Sequence, residues 1–495
     1  MAKYLLGIDI GTTSTKVLVI KNNGEMIADM SLSSTLASLN TGWAEEDPIQ
    51  WWQNITKVVP EILLKAAIKP KQIAGIGVSG MVPTLILLDE SGMVLRPSIQ
   101  QNDARAIEEI KFQQNRTDEN DILNRTGSAI TAQSIGPKLL WVKKHEPSLF
   151  KRARHLLGSY DYIVYRLTNQ FSSERNWALE SGLYNLQMDD WDETLLSLAE
   201  IDRNWLGILH NPSDFVGGVT AGAADACGLA EGTPVFAGSA DHIASAFSAG
   251  VNREGDLLIK LGGAGDILYC TNDADMDPRL YLDFHIIPGK FLINGCMASS
   301  GSLIRWFCEQ CTPSEDYADL DQKAESIPAG SNGLILLPYF VGEKTPINDP
   351  LARGTWIGLT LSHTKAHMYR SILEGIAFGF NHHIQVLMQK NHEINRIRVT
   401  NGGAHSILWR QIVTDVIGLP LEYVAHHPGS SLGAAFVAGK GTGVFQSWDE
   451  IERFINIADI SQPDMGNHAR YKHFFEIYVE TYRALQALYP RLTEI

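Results

Sequence analysis

The chain has 495 residues, 44% of them hydrophobic and 20% charged, enough for two or more globular domains with large cores. Its 41 basic residues against 56 acidic ones give a formal charge of −15, which argues against nonspecific nucleic-acid or anionic-membrane binding. An acidic chain that acts on a polyphosphate must therefore gather its positive charge locally.

The stretch Tyr4 to Ile20 reads as two short apolar strands joined by a tight polar hairpin. Gly7 and Gly11 let the backbone bend and approach a ligand. The turn offers backbone N–H groups, the hydroxyls of Thr12, Thr13 and Ser14, and the cation of Lys16. These are the groups that hold phosphate oxygens. Asp9 beside such a turn is repulsive to phosphate unless a cation lies between them, which points to Mg²⁺. The same residues also suit an ordinary hairpin with one solvated acid. No GxxxxGK[ST] is present.

The segment GIDIGTTSTK (Gly7–Lys16) resembles the first phosphate motif of the sugar-kinase, Hsp70 and actin superfamily. Four later stretches narrow the resemblance to the FGGY carbohydrate kinases. That resemblance implies an α/β fold of two actin-like, ribonuclease H-like domains around a central cleft. The expected division is 1–250, with the first phosphate hairpin and the sugar site, and 251–495, with the second hairpin and the adenosine pocket.

Lys21–Gly24 reads as a second reversal, into an antiparallel strand. Asp47-Pro48 reads as a helix start, and Trp51, Trp52, Ile55 and Val58 as its core face. In Ile73–Leu88, two apolar runs flank Ser79–Pro83. There the family presents sugar-contacting side chains: Met-His in xylulokinases, Arg-Glu in glycerol kinases. Met81 and Val82 occupy that region here, and Val82-Pro83 departs from both pairs. QQNDAR (Gln100–Arg105) is similar to the xylulokinase WNDxR pattern. Asn102 and Asp103 are expected to touch sugar hydroxyls, with Arg105 fixing Asp103 by a bidentate pair, or else to cap a helix from Ala104. Residues 106–215 read as mostly helical, with no chemistry assigned.

In Thr233–Gly250, a short strand and a turn precede Asp241 at the head of a small-residue helix. This resembles the family's GxxDxxA motif, which implies that Asp241 is the catalytic base, with His242 at the sugar; the bland alternative is a helix cap. LLIKLGGAGDILY (Leu257–Tyr269) repeats the strand, Gly-rich turn and strand of the opening. Gly262, Gly263 and Gly265 are expected to hold phosphate, as in the family's second motif. Arg305 is expected either at the nucleotide or in a surface pair. The segment after Arg396 is very similar to a xylulokinase pattern, which implies that Gly402, Gly403, Ala404 and Ser406 line the adenosine pocket. The aromatic face of the C-terminal helix suits core or homodimer packing.

The resemblance thus implies transfer of the γ-phosphoryl group of ATP to a small sugar, a ketopentose such as xylulose leading. Ribulose, gluconate, glycerol or a tetrose derivative stay open, as does a non-sugar conformational ATPase of the actin/Hsp70 class. Asp9 and Asp241 would position Mg²⁺. The five cysteines (Cys227, Cys270, Cys296, Cys308 and Cys311) are expected to be reduced, since Cys308 and Cys311 lack the further close ligands zinc needs. Asp9 and Lys16 interrupt the N-terminus too early for a signal segment, and no run reaches ~18 apolar residues. A cytoplasmic location is expected.

Overall fold

Two seven-stranded sheets organise the computed structural model, which describes residues 4–40 and 42–492. The first sheet starts from the hairpin Tyr4–Ile10 and Ser14–Lys21, extended antiparallel by Met26–Ser33. On its other side the first strand pairs in parallel with Ile73–Gly80, which pairs in parallel with Pro234–Phe236. The second sheet repeats this plan. Asp256–Leu261 and Gly265–Thr271 form the hairpin, Phe291–Met297 extends it, and Arg396–Thr400 then Leu421–Val424 add in parallel. The expectation of two related halves follows from these matching hairpins.

Side-chain shape explains how the layers close. Asp47 caps the helix Pro48–Lys65 by accepting the Ile49 N–H, and Trp51, Ile55, Val59 and Ile62 bury its inner face. The helix Ser430–Gly441 belongs to the second half of the sequence yet lies on the first sheet. Gly7 and Gly77 make that possible, because a Cβ on either would stand 2.0 Å from a carbonyl oxygen of this helix. Small residues on both surfaces thus bring helix and strands into backbone contact. The helix Lys365–Gln389 runs through the second core. The C-terminal helix Met465–Leu485 packs there too: Tyr471 and Tyr478 are buried and bonded to Arg370 and Tyr339. Its aromatic face is core. Among the described residues, no helix is long and apolar enough to cross a membrane.

Candidate active site

The register of the first sheet sets Asp9 opposite Lys16 on one side and Ser79 on the other. Ser79 Oγ donates to Asp9 Oδ1 at 2.8 Å. Burial raises the Asp9 pKa to about 6, the nearby charge of Asp241 adds to it, and hydrogen bonds from Ser430 and Ser79 oppose it. Two acids remote in sequence therefore sense each other.

Asp241 opens the helix Asp241–Ser248, just after Ser239–Ala240 pairs with the end of Ile73–Gly80. It does not cap that helix; its Oδ1 accepts the adjacent His242 N–H. The carboxylate faces a cavity of about 250 Å³, whose wall also carries Val82, Gln101, Glu180, His242, Lys260 and Asp283. Lys260 Nζ stands 3.0 Å from Asp266, its cross-strand neighbour in the second hairpin. Burial alone would lower the Lys260 pKa, but Asp266 and Asp241 outweigh it and the net shift is upward. His242 behaves alike: burial opposes its charge, yet Glu180 and Asp283 hold it well above the usual histidine range.

The first turn has free donors. Gly11 N–H closes on the Ser14 carbonyl at 3.0 Å, and among the described residues no protein group bonds the hydroxyls of Thr12, Thr13 or Ser14. Lys16 is already engaged: its ammonium donates to the Pro428 carbonyl at 2.9 Å, with Asp29 3.9 Å away. That bond uses one of the three N–H donors of its ammonium. In the second turn, the carbonyls of Gly262 and Gly263 accept N–H groups from Ser300, Gly301 and Ser302, which ties the turn to the helix Gly301–Cys311. A Cβ on Gly263 would meet open space.

Several expectations need correction. Asp103 is not on the cavity wall. Its side chain is fully buried, and Arg105 and the Ala44 N–H occupy both its oxygens. The bidentate pair forms, but away from the cavity, with Arg105 also paired with Glu45 and stacked 3.9 Å over Trp43. Asn102 sits on an exposed turn off the wall, and the helix here starts at Ile107, so neither residue caps it. Met81 is buried off the cavity wall, and its carbonyl accepts from Ser159. Gly265 is buried, and a Cβ there would stand 2.8 Å from the Phe380 ring, so its lack of a side chain serves packing. Ala404 has no exposed surface, so it cannot touch a nucleotide. Gly402 is open, whereas Gly403 lies against Trp409. Ser406 caps the helix Ile407–Ile417 and donates to Asp321. Arg305 is exposed on its helix and, among the described residues, forms no ion pair.

Glu180, Lys260, Tyr281, Asp283, Asn294 and Lys344 also line the cavity, and sequence reasoning missed them. A signal existed for Lys260: a lone ammonium inside the apolar run LLIKL needs a partner or a cavity. Glu180 and Asp283 offered none.

Two family models match this chain: the N-terminal domain of the FGGY family of carbohydrate kinases over residues 4–248, and its C-terminal domain over 275–441. The xylulose kinase of Bacillus subtilis (strain 168) is 31% identical, covering 97% of this chain and 97% of that protein. The crystal structure of a xylulose kinase from Rhodospirillum rubrum superposes with TM-score 0.94 at 40% identity, over 98% of this chain and 100% of that one. A gluconate kinase structure from Lactobacillus acidophilus gives 0.94 at 27%, over 99% and 100%.

Proposed function

The chain belongs to the FGGY family of carbohydrate kinases, and from that premise we propose that Asp241 is the base of a phosphoryl transfer from ATP to a hydroxyl of a ketopentose such as xylulose. The fold is the two-domain α/β, actin-like one of that family, and the enzyme is a phosphotransferase with an alcohol acceptor. The observation that supports the reading is the approach of Asp9, near the end of the strand Tyr4–Ile10, to Asp241, at the head of its helix on the cavity wall: they lie close enough for the charge of Asp241 to raise the Asp9 pKa. We take residues 1–250 and 251–495 as the two domains, with the helix Ser430–Gly441 crossing back onto the first.

Asp241 accepts the proton of the attacking hydroxyl. A carboxylate is a weak base, but phosphoryl transfer has a loose transition state in which that proton becomes acidic late. Thr12, Thr13, Ser14 and the N–H groups of the two turns bind phosphate oxygens, and Gly402 and Gly403 form the floor under the adenosine. Mg²⁺ suits this donor set: Asp9 is a buried carboxylate whose charge is opposed by Asp241, and a cation between them relieves both. When bound, the ion neutralises phosphate charge. Ser79 and Ser430 orient Asp9 for it.

Gluconate is the second reading, because a gluconate kinase structure is as similar in shape as the xylulose kinase one. The apolar Val82-Pro83 wall also departs from the Met-His pair of the resemblance. A screen of ADP release across ketoses, polyols and sugar acids tests both. Turnover with one acceptor class is expected; ATP hydrolysis unaffected by every sugar would favour a conformational ATPase instead.

A further inference from the structure

Glu180 ends the helix Arg175–Glu180 and faces the same cavity as Asp241. Other buried carboxyl groups of the chain are met by donors: Glu46 by Trp51, Glu174 by Tyr160, Glu343 by the Ala298 N–H, and Glu374 by Arg370 and Tyr471. Glu180 differs. Glu46 also leaves one oxygen, Oε1, buried without a partner, but among the described residues Glu180 has its Oε1 buried without a partner and no donor on its other oxygen either. The nearest cation, His242 Nε2, is 3.7 Å away, and that nitrogen is bonded to Asp283 Oδ2 at 3.1 Å. The side chain keeps 17% of its surface, on the cavity side.

A largely buried carboxyl group with no donor is costly until something donates to it. The ligand atoms of Glu180, His242 and Asp283 lie within 4.8 Å of one another, a spacing that also suits a metal ion. The direct His242–Asp283 hydrogen bond argues otherwise, because the imidazole nitrogen that would bind a metal carries the shared proton. Hydroxyl groups are the remaining class of donor, and the site beside Asp241 is where a sugar must lie.

We propose that Glu180 is a specificity-determining residue that accepts a hydrogen bond from an acceptor hydroxyl other than the one phosphorylated, and that it selects a neutral polyhydroxylated acceptor over a sugar acid. The inference rests on the kinase reading above. The charges on the wall agree with it. Glu180, Asp241, Asp266 and Asp283 face three cationic side chains, Lys260, Lys344 and His242, and Lys260 is already paired with Asp266. Burial, with Asp283 and Asp241 nearby and only His242 opposing, pushes the Glu180 carboxyl well above the usual carboxylate range, so a further carboxylate entering with the substrate would meet a site that already disfavours ionised acids.

The test compares the full-length protein with Glu180→Gln, using ATP with D-xylulose, L-ribulose, glycerol, erythritol and D-gluconate. ADP release gives the kinetics, and the acceptor-induced rise in Tm gives binding without turnover. The wild type is expected to have its highest kcat/KM on a neutral acceptor. Glu180→Gln is expected to raise the KM for that acceptor by about tenfold, to leave the KM for ATP within about twofold, and to reduce the Tm rise. An unchanged acceptor KM and Tm rise in Glu180→Gln overturns the inference, as does a wild-type preference for D-gluconate; neither result touches the kinase assignment. Absence of ADP release with every acceptor overturns that assignment first. Should Glu180→Gln fail to fold, Glu180→Asp, which draws the carboxylate back from the cavity, must raise the acceptor KM, and an unaltered value overturns the inference equally.

Discussion

Asp283 Oδ2 lies 3.1 Å from His242 Nε2, and this bond joins a strand of the second sheet to the helix that carries Asp241. The two side chains keep 1% and 14% of their surface, so water screens the pair little. Removing one partner leaves the other buried without its match, which costs about 3 kcal/mol. Asp283→Ala is expected to lower Tm and to weaken the seating of the second sheet on the first half. Scanning calorimetry checks this; an unchanged Tm would mean the pair contributes nothing to stability.

Asp241→Asn keeps shape and removes the proton acceptor. Turnover is expected to fall at least about 100-fold, while ATP binding, followed by nucleotide-induced thermal stabilisation, stays near wild type. Near-normal turnover would remove Asp241 from its role.

Asp9 is buried, and burial together with Asp241 raises its pKa to about 6. A bound cation favours its ionised form. Asp9→Asn is expected to shift the Mg²⁺ concentration at half-maximal rate upward by at least about tenfold, and chelation of divalent ions is expected to abolish wild-type turnover. A rate that persists in excess chelator would rule out the metal.

Gly77→Ala tests the contact of the helix Ser430–Gly441 with the first sheet. The new Cβ would lie 2.0 Å from the Ala434 carbonyl oxygen, so helix or strand must shift. The expected loss is about 3 kcal/mol. Activity should fall as well, because Ser430, at the head of that helix, bonds Asp9. Urea unfolding and kinetics on the same preparation measure both.

His285 sets a pH dependence of stability. Its Nδ1 accepts the Ile287 N–H at 2.9 Å, so Nε2 carries the proton and donates to the Val251 carbonyl at 2.8 Å. A second proton would face an N–H group. Burial lowers its pKa from 6.5 to about 4. Between these values the unfolded chain binds a proton that the folded one refuses. The stabilisation is therefore complete above pH 6.5 and is lost as the pH falls towards 4, at about 1.4 kcal/mol per pH unit. Tm measured against pH should decline more gently in His285→Gln; identical slopes would contradict it.

The sequence by itself determined the two Gly-rich hairpins, the helix begun by Asp47-Pro48 and the helix headed by Asp241. These are local matters of apolar runs, turn residues and capping, settled within about ten residues by backbone chemistry. The family resemblance was legible for the same reason. Only the tertiary structure decided which polar groups reach the cavity. Asp103 and Asn102 are neighbours in the chain, yet one is buried behind Arg105 and the other exposed. Glu180 and Asp283 become neighbours only because a short helix of one half and a strand of the other close around His242. Burial and charge pairing depend on which surfaces pack together across the chain, and no local pattern encodes that.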